Sequence, residues 1–309
     1  MLRMIIGLML FVPVAAQAEG QGPASFKDCA DCPEMVAIPL GSFTMGEPES
    51  ESQNRKFGWG GPEIKVTIAK PYALAKTETT RAQFAVFMAE SKYKQDGQCR
   101  SIWEKRIPDP SKVSWQDPQW PDGTKQKNDE PVVCVSWEDA YAYAAWLTKK
   151  SGGKHFYTLP TEAQFEYAAR AGTTGQRPWP GAVEESCKYA NVGDKNYLRI
   201  IPEYGAINCD DGYAFTSPVT HFPANAFGLH DMLGNVWEWA RDCRAEDLTA
   251  YPRNGTALET APADCKRRVL RSSGFSSAEW YTRPTTRGGD PVPGTRLVVL
   301  GFRVAASVE

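Results

Sequence analysis

The sequence has no excess of charge of either sign. Its 35 lysine and arginine residues nearly balance its 37 aspartate and glutamate residues, so the net charge at pH 7 is −2. Proteins that bind DNA or RNA usually concentrate basic residues in a stripe that neutralises phosphates. No such stripe occurs in this sequence, and we therefore expect no nucleic acid among the partners of the protein.

Long apolar runs are also missing, apart from one at the start. Arg3 precedes an apolar run over residues 5–15, and Ala16-Gln17-Ala18 then matches the small-x-small pattern of a signal-peptide cleavage site. The run is too short to span a bilayer as a helix. We expect residues 1–18 to be a signal peptide and the mature protein to be periplasmic or secreted, with no membrane contact after cleavage. An uncleaved membrane anchor is the alternative.

Histidine is scarce, with three residues, whereas cysteine occurs eight times. An even number of cysteines in an exported chain predicts disulfides, because the compartment is oxidising. The sequence does not define the pairing, and the simplest hypothesis joins nearest neighbours: Cys29–Cys32, Cys99–Cys134, Cys187–Cys209 and Cys243–Cys265. The first pair is a Cys-x-x-Cys motif, but it lies in a polar leader rather than between a strand and a helix, which argues against a redox role.

Few segments show a long hydrophobic period. Three helices are predicted to start after Thr80, Ser136 and Thr161. Each of these residues has a hydroxyl group that can accept a hydrogen bond from a backbone N–H of the first helical turn. Short strands are predicted over residues 65–68 and 132–135, and residues 92–130 are expected to form a long, ordered surface loop. Because no internal repeat or linker is visible, the sequence predicts a single loop-rich α+β domain with low regular secondary structure.

Several short motifs follow one another in a specific order. They are Met35-Val-Ala-Ile-Pro39, Gly41-Ser-Phe-Thr-Met-Gly46, Glu78-Thr-Thr-Arg-Ala-Gln-Phe84, Pro131-Val-Val-Cys-Val-Ser-Trp137, Leu159-Pro-Thr-Glu-Ala-Gln-Phe-Glu-Tyr-Ala-Ala-Arg170, Phe227-Gly-Leu-His-Asp-Met-Leu-Gly-Asn-Val-Trp-Glu-Trp239 and Gly301-Phe-Arg-Val-Ala305. Together they resemble the formylglycine-generating-enzyme, or sulfatase-modifying-factor, family. The resemblance implies a compact C-type-lectin-like domain over residues 33–306, preceded by a leader over residues 19–32.

The resemblance also implies structural calcium, for which carboxylate, amide and backbone oxygens are suitable ligands. One implied site consists of Asn191, the Val192 carbonyl, Asp211 and the Tyr213 carbonyl. A second consists of Asp231, Gly234, Val236 and Glu238, with Asp231 where the family often has asparagine. The alternative is that Asn191 and Asp211 cap turns and that Glu238 pairs with a basic residue.

The sequence departs from the family at the catalytic cysteines. The oxidases of the family bind copper(I) through two cysteines five residues apart, after a Gly-Gly-Ser-aromatic turn. Here Ser277 and Thr282 occupy those two positions, and Ser272-Ser273 replaces Gly-Gly. A protonated hydroxyl is a poor ligand for a soft metal, so we expect neither copper nor formylglycine formation. The three histidines also lack the spacing of an iron-binding triad, as used by another branch of the family.

Two functions remain for this resemblance. The first is an exported maturation or tailoring oxidoreductase that acts on a peptide or a peptide-derived metabolite, such as a siderophore. The second is a non-catalytic module that binds a peptide, a protein or such a metabolite.

For the first function we predict a catalytic set of Glu279, Tyr281, Arg283 and Arg287, lining one cleft with Trp239, Arg241 and Asp242. A carboxylate beside a phenol can transfer protons. The two arginines of the set could instead form structural salt bridges, since the family generally has arginine at both positions.

Overall fold

The structure is a computed structural model that describes residues 24–48, 60–203, 205–259, 265–289 and 291–308. The predicted signal peptide at residues 1–18 lies outside these ranges. Along the described ranges, no helix combines the length and the apolar character needed to cross a membrane.

The three predicted helices are present and begin at the predicted residues. They are α1 (Arg81–Ser91), α2 (Trp137–Lys150) and α3 (Glu162–Arg170). Each starts with a capping box, in which the cap hydroxyl and the third helical side chain accept each other's backbone N–H bonds. The sequence does not predict a fourth helix, α4 (Lys195–Ile200), because its 6 residues are too few to show a helical period.

Short strands form three sheets in the described part of the chain. They are β1 (Ser25–Phe26), β2 (Met35–Ile38), β3 (Gly41–Met45), β4 (Ile64–Ile68), β5 (Tyr72–Ala75), β6 (Tyr157–Thr158), β7 (Trp237–Cys243), β8 (Arg268–Arg271), β9 (Leu300–Gly301) and β10 (Ala305–Ser307). The largest sheet is antiparallel, in the order β1-β2-β5-β10-β6. A second sheet pairs β3 with β4, and in the third β7 lies antiparallel to β8 and parallel to β9. The fold is the predicted loop-rich mixture of short helices and strands.

One strand prediction is confirmed and the other is wrong. Residues 65–68 lie within β4. Residues 132–135 form an irregular buried segment, because Cys134 adopts a left-handed backbone conformation with a φ of 63° that ends any extended run. Cys134 is at the same time bonded to Cys99 and donates its N–H to the Leu297 carbonyl, so cross-links replace strand pairing there.

The loop over residues 92–130 packs more deeply than its composition suggests. Its tryptophans Trp103, Trp115 and Trp120 are all buried in the main hydrophobic core, together with Phe84 of α1. Trp120 stacks on Phe215 with ring centroids 4.9 Å apart. The loop therefore forms one wall of the core instead of lying on its surface.

All four disulfides expected from nearest-neighbour pairing are present in the structure. Three of them join residues 22 to 35 positions apart in sequence. In the chain-entropy model, closing a loop of this size contributes about 3–4 kcal/mol to stability. In a fold with so little regular structure, these bonds restrain the loops that hydrogen bonds alone would leave free.

Helix α3 carries a buried ion network. Glu162 and Glu166 lie one turn apart and are both completely buried. Arg271, the last residue of β8, pairs with these carboxylates at 3.3 Å and 2.7 Å respectively. Arg287 forms a two-point pair with Glu162, at 2.6 Å and 3.0 Å. Because buried charges are stable only when they are paired, this network holds both ends of segment 271–287 against α3.

Asp242 on β7 adds a further carboxylate to this network. Its two oxygens accept hydrogen bonds from the backbone N–H groups of Glu162 and Leu258, at 2.6 Å and 2.7 Å. Burial, and then the nearby negative charge of Glu162, raise the pKa of Asp242 from 3.8 to about 7. The folded protein therefore keeps a proton on Asp242 at pH values where the unfolded chain has lost it.

This difference predicts a stability that falls as pH rises. Between the unfolded pKa of 3.8 and the folded pKa of about 7, only the folded state binds this proton. The contribution to the free energy of unfolding therefore declines by about 1.4 kcal/mol for each unit of pH in that window and is lost above it. Urea unfolding at a series of pH values between about pH 5 and pH 8 gives the free energy of unfolding as a function of pH. For Asp242→Asn, this free energy should fall less steeply with rising pH than it does for the unchanged protein.

The surface variant Asp117→Asn serves as the control, because the Asp117 carboxylate lies apart from the α3 network, pairing with Lys125 and accepting the Gln119 N–H at 3.1 Å. Its slope should match that of the unchanged protein. Parallel slopes for Asp242→Asn and the unchanged protein would contradict the assignment of a titrating proton to Asp242.

Candidate functional site

A groove of about 800 Å³ lies beside the third sheet and is lined by residues of β7, β8 and β9. Its walls come from β7, from the turn over residues 276–281 and from the chain segment that leads to β9. The apolar side chains that line it include Trp237, Trp280, Tyr281, Val292 and Leu297, and Arg100 lies at its edge. Trp280 and Val292 are 50% and 57% exposed, which is unusual for large apolar side chains and typical of a binding surface.

Trp237 is held in place by two glycines. A Cβ atom on Gly288 would lie 2.9 Å from Trp237 Cε3 and 2.6 Å from Leu270 Cβ. A Cβ atom on Gly274 would lie 3.2 Å from Trp237 Cδ1, so the indole fills the space that both glycines leave. The Tyr281 ring meets this indole edge to face, with centroids 5.8 Å apart. The groove therefore contains a preformed aromatic pair.

The two residues in the family's cysteine positions, Ser277 and Thr282, are both buried. Ser277 is buried at the groove wall, where its hydroxyl accepts a hydrogen bond from the Gly274 N–H at 2.8 Å. The Ser277 carbonyl accepts a second from the Gly193 N–H at 2.9 Å. Thr282 is completely buried, and its hydroxyl has no hydrogen-bond partner in the described ranges. Neither hydroxyl replaces a thiolate, and every cysteine described by the structure is in a disulfide.

Two of the predicted catalytic residues lie on one short turn. Glu279–Tyr281 forms a single 3₁₀ turn, and of its two polar residues only Tyr281 lines the groove. Burial raises the pKa of Tyr281 above 10.0, and the phenol can donate a hydrogen bond at neutral pH. Glu279 is half-exposed and faces Arg177, with its Oε1 3.9 Å from Arg177 Nη2.

The two predicted catalytic arginines lie away from the groove. Arg283 pairs with Glu47 at 3.1 Å. Arg287 is completely buried, and besides its pair with Glu162 it contacts the Tyr251 hydroxyl at 2.6 Å. These placements favour the structural salt bridges that the sequence left open.

The expectation that all seven predicted residues line one cleft is wrong. Trp239 is completely buried and donates its indole N–H to the Val135 carbonyl at 2.9 Å. Asp242 belongs to the α3 network, and Arg241 pairs with Glu259 at 2.6 Å. The pairing of β7 with β8 shifts register between Trp239 and Cys243, so a regular alternation of faces does not carry from Trp237 to Arg241 and Asp242.

In the first implied calcium site, some of the candidate ligand oxygens already accept hydrogen bonds. Asp211 accepts hydrogen bonds from the Val192 and Tyr213 N–H groups at 2.8 Å and 2.9 Å. Burial, and then the charge of Asp194, raise the pKa of Asp211 to about 8. The side-chain oxygen of Asn191 is buried without a partner in the described ranges. Cys187 comes within 4.8 Å of these carboxylates, but its sulfur is bonded to Cys209 and offers no thiolate.

The second implied site contains an unpaired carboxylate. Both oxygens of Asp231 are buried, and neither has a hydrogen-bond partner in the part of the chain that the structure describes. Glu238 is paired through both oxygens with Arg303, as the alternative sequence interpretation predicted. A third carboxylate, Glu78, lies close to Asp231 and Glu238. Burial raises the pKa values of Glu78 and Asp231, and the charges of Asp231 and Glu238 raise that of Glu78 further. Three buried carboxylates thus face one guanidinium, an arrangement that a bound cation would neutralise.

Several groove residues escaped the sequence analysis. Trp237 belongs to the Trp-Glu-Trp motif, but a motif match does not show which face of a strand a residue occupies. Trp280 stands between Glu279 and Tyr281 in a segment without any hydrophobic period. A tryptophan that does not belong to any predicted hydrophobic face of a helix or strand is the sequence signal that could have indicated this surface.

Comparisons with known proteins agree with these motifs. The family model of the sulfatase-modifying factor enzyme 1-like domain matches residues 22–308. The formylglycine-generating enzyme of Thermomonospora curvata is 30% identical over 304 residues, which cover 88% of this chain and 93% of that enzyme. Inactive C-alpha-formylglycine-generating enzyme 2 of Mus musculus is 31% identical over 309 residues, covering 90% of this chain and 87% of that protein.

Solved structures show the same fold. PvdO from Pseudomonas aeruginosa matches with a TM-score of 0.77 at 35% identity, covering 94% of this chain and 100% of PvdO. Treponema denticola variable protein 1 matches with a TM-score of 0.65 at 21% identity and therefore shares the fold alone. This chain belongs to the sulfatase-modifying-factor family, the family of the formylglycine-generating enzymes.

Proposed function

We propose that this protein is an exported maturation or tailoring protein that binds a peptide or a peptide-derived metabolite, of the siderophore type, in the groove beside Trp237. The observation that carries the proposal is that the segment in which the family's cysteines are replaced forms one wall of an open aromatic groove. The chain has kept the family's scaffold and has a new set of side chains at the position where the oxidases hold copper. We further propose that it acts on the bound molecule as an oxidoreductase.

The chemistry of the groove fits such a ligand. A volume of about 800 Å³ is in the range of pockets that hold a drug-sized molecule or a few peptide residues. Trp280 and Tyr281 offer flat apolar surfaces for rings or side chains, and Arg100 offers a charged donor at the edge. Burying the half-exposed Trp280 ring against a ligand would remove apolar surface from water.

The groove residues can orient a substrate and hold a proton. Tyr281, with its raised pKa, can donate a hydrogen bond from its hydroxyl to an oxygen of the bound molecule. Copper does not fit this site, because Ser277 and Thr282 supply no thiolate and every described cysteine is in a disulfide. An oxidation of the bound molecule would need an external two-electron acceptor such as molecular oxygen, which would take up the two electrons and two protons and leave as hydrogen peroxide.

A non-catalytic binding module is the second candidate. A relative that is 31% identical to this chain bears the name of an inactive formylglycine-generating enzyme. The predicted catalytic arginines are engaged elsewhere, so Tyr281 is the one member of the predicted catalytic set that lines the groove. Both candidates use the same groove, and they differ in whether the bound molecule is changed.

We also propose that the second implied site holds calcium. Among the described residues, neither oxygen of the Asp231 carboxylate has a hydrogen-bond partner, and such a group is costly to bury unless it meets a proton or a cation. Together with backbone oxygens from the turn that contains Gly234, it would supply the oxygen ligands that calcium prefers. When bound, calcium would neutralise the excess of buried carboxylates around Arg303.

Deletion and complementation test the proposed function. We expect a strain without the gene to accumulate a secreted metabolite or an exported peptide that differs from the normal product in mass. The Trp280→Ala gene should restore roughly one tenth of the conversion that the unchanged gene restores. An aromatic side chain that is buried by its ligand contributes about 1.4 kcal/mol or more to the binding free energy. Untargeted mass spectrometry of the medium and the periplasm measures this.

Phe156→Ala is the matched control, because Phe156 is also exposed but lies outside the groove. It should complement fully. Full complementation by Trp280→Ala would contradict the groove as the binding site. Unchanged masses in the deletion strain would contradict the tailoring reaction and leave the binding module as the better description.

A separate assay tests the loss of copper chemistry. Purified protein incubated with copper(I), oxygen and a Cys-x-Pro-x-Arg peptide should give no formylglycine, because the soft ligands for copper are absent. The formylglycine-generating enzyme of Thermomonospora curvata provides the positive control, and mass spectrometry of the peptide is the measurement. Formylglycine produced by this chain would overturn the interpretation of Ser277 and Thr282.

Calcium binding predicts a change in thermal stability. At a calcium concentration about 100 times the dissociation constant, the melting temperature should lie roughly 5–10 °C above that of chelated protein. Magnesium should give a smaller rise, because it is a poorer match for flexible sites of protein oxygens. Asp231→Ala should remove most of the calcium response, whereas the surface variant Asp117→Asn should keep it. Equal melting temperatures with calcium and with chelator would contradict the proposed site.

A further inference from the structure

Arg177 is a buried arginine whose guanidinium is incompletely paired. Its side chain is only 10% exposed. Nε and Nη2 are both buried, and neither has a hydrogen-bond partner in the described ranges. These two nitrogens lie on the same edge of the guanidinium, where their N–H bonds are parallel and match the two oxygens of a carboxylate. The unpaired donors therefore form a two-point binding edge.

The carboxylate that faces this edge does not satisfy it. Glu279 Oε1 lies 3.9 Å from Arg177 Nη2, which is beyond hydrogen-bond length, and the Glu279 side chain is 52% exposed. Glu184 is exposed and attracts Arg177 less strongly than Glu279 does, while Arg283 repels it. The Arg177 guanidinium is thus largely shielded from water and has no close anionic partner among the residues that the structure describes.

The position of Arg177 relates it to the groove. Three successive residues of a 3₁₀ turn point in directions roughly 120° apart. In the turn Glu279–Tyr281, Trp280 and Tyr281 line the groove, whereas Glu279 faces Arg177. A ligand that lies on Trp280 and extends past the turn would bring its next group to Arg177.

We propose that the Nε–Nη2 edge of Arg177 is a binding site for a carboxylate, and that Glu279 is an internal competitor that covers this edge until a ligand displaces it. The ligand's carboxylate would form two parallel N–H···O hydrogen bonds with Arg177, while the Glu279 side chain would move into water. The idea that this carboxylate belongs to the ligand of the groove rests on the proposed function. The anion site itself does not, and it can be tested alone.

The test is a titration of the full chain with sodium acetate at constant ionic strength, followed by NMR of the arginine Nε–Hε signals. The Arg177 signal is identified by its loss in Arg177→Lys. We expect it to shift and saturate in the unchanged protein. In Glu279→Gln, acetate should bind about two to five times more tightly, the effect of removing one exposed competing charge.

Arg199→Lys is the matched control, because Arg199 also faces a carboxylate at a distance, Asp210 at 3.6 Å, but is exposed. It should leave the Arg177 shift unchanged. A parallel titration with inorganic phosphate distinguishes the kind of oxyanion, and we expect acetate to bind at least as tightly.

Three results would overturn the proposal. One is an Arg177 signal that acetate does not shift, and another is a shift with phosphate only, which would make this a phosphate site. The third is weaker acetate binding in Glu279→Gln, which would show that Glu279 supports the site instead of competing for it. If Arg177→Lys does not fold, the Arg177 signal is assigned instead by through-bond correlation with its own backbone in the unchanged protein, and the comparison with Glu279→Gln remains. None of these results bears on complementation by Trp280→Ala.

Discussion

The buried pairing between the carboxylates of α3 and two distant arginines is the contact on which the functional surface depends. Glu162 and Glu166 each meet Arg271, and Glu162 also meets Arg287. A buried charge without a partner would be strongly destabilising, so separating either end of segment 271–287 from α3 would cost a large free energy. The residues between these anchors form the groove wall. The same constraint explains how the wall can change its side chains while the fold persists.

Asn235 connects this wall to the proposed cation site. Its carbonyl accepts the Phe275 N–H at 2.8 Å, within the segment that replaces the family's cysteine turn. Its side chain donates to Glu78 at 2.7 Å and accepts from Asn191 at 3.2 Å. One asparagine thus contacts the groove segment, Asn191 of the first implied calcium site and Glu78 beside the second. A cation bound beside Glu78 would stabilise the groove through contacts that are already formed.

The fold class and the three longer helices could be predicted from local patterns, whereas β4 is the one strand of the ten in the described ranges that was predicted. The caps at Thr80, Ser136 and Thr161 depend on residues three positions apart, which a sequence shows directly. Much less of the site could be predicted. Of the predicted catalytic set, Tyr281 lines the groove, whereas Arg283 and Arg287 belong to ion pairs with residues more than 100 positions away. No local pattern reports a partner at that distance, and for this reason their role stayed open.

The sequence by itself determined the helix starts, the family and the loss of the cysteine pair, because each depends on residue identity at short spacing. It also made nearest-neighbour disulfides the simplest pairing, and the structure has them. Only the tertiary structure decided which side chains share a surface. Trp237 and Trp280 line one groove because β7 and the 276–281 turn converge, and Arg177 faces Glu279 across about 100 residues of chain. Such contacts arise from packing between distant segments, where burial and charge pairing, rather than sequence spacing, set the position of each group.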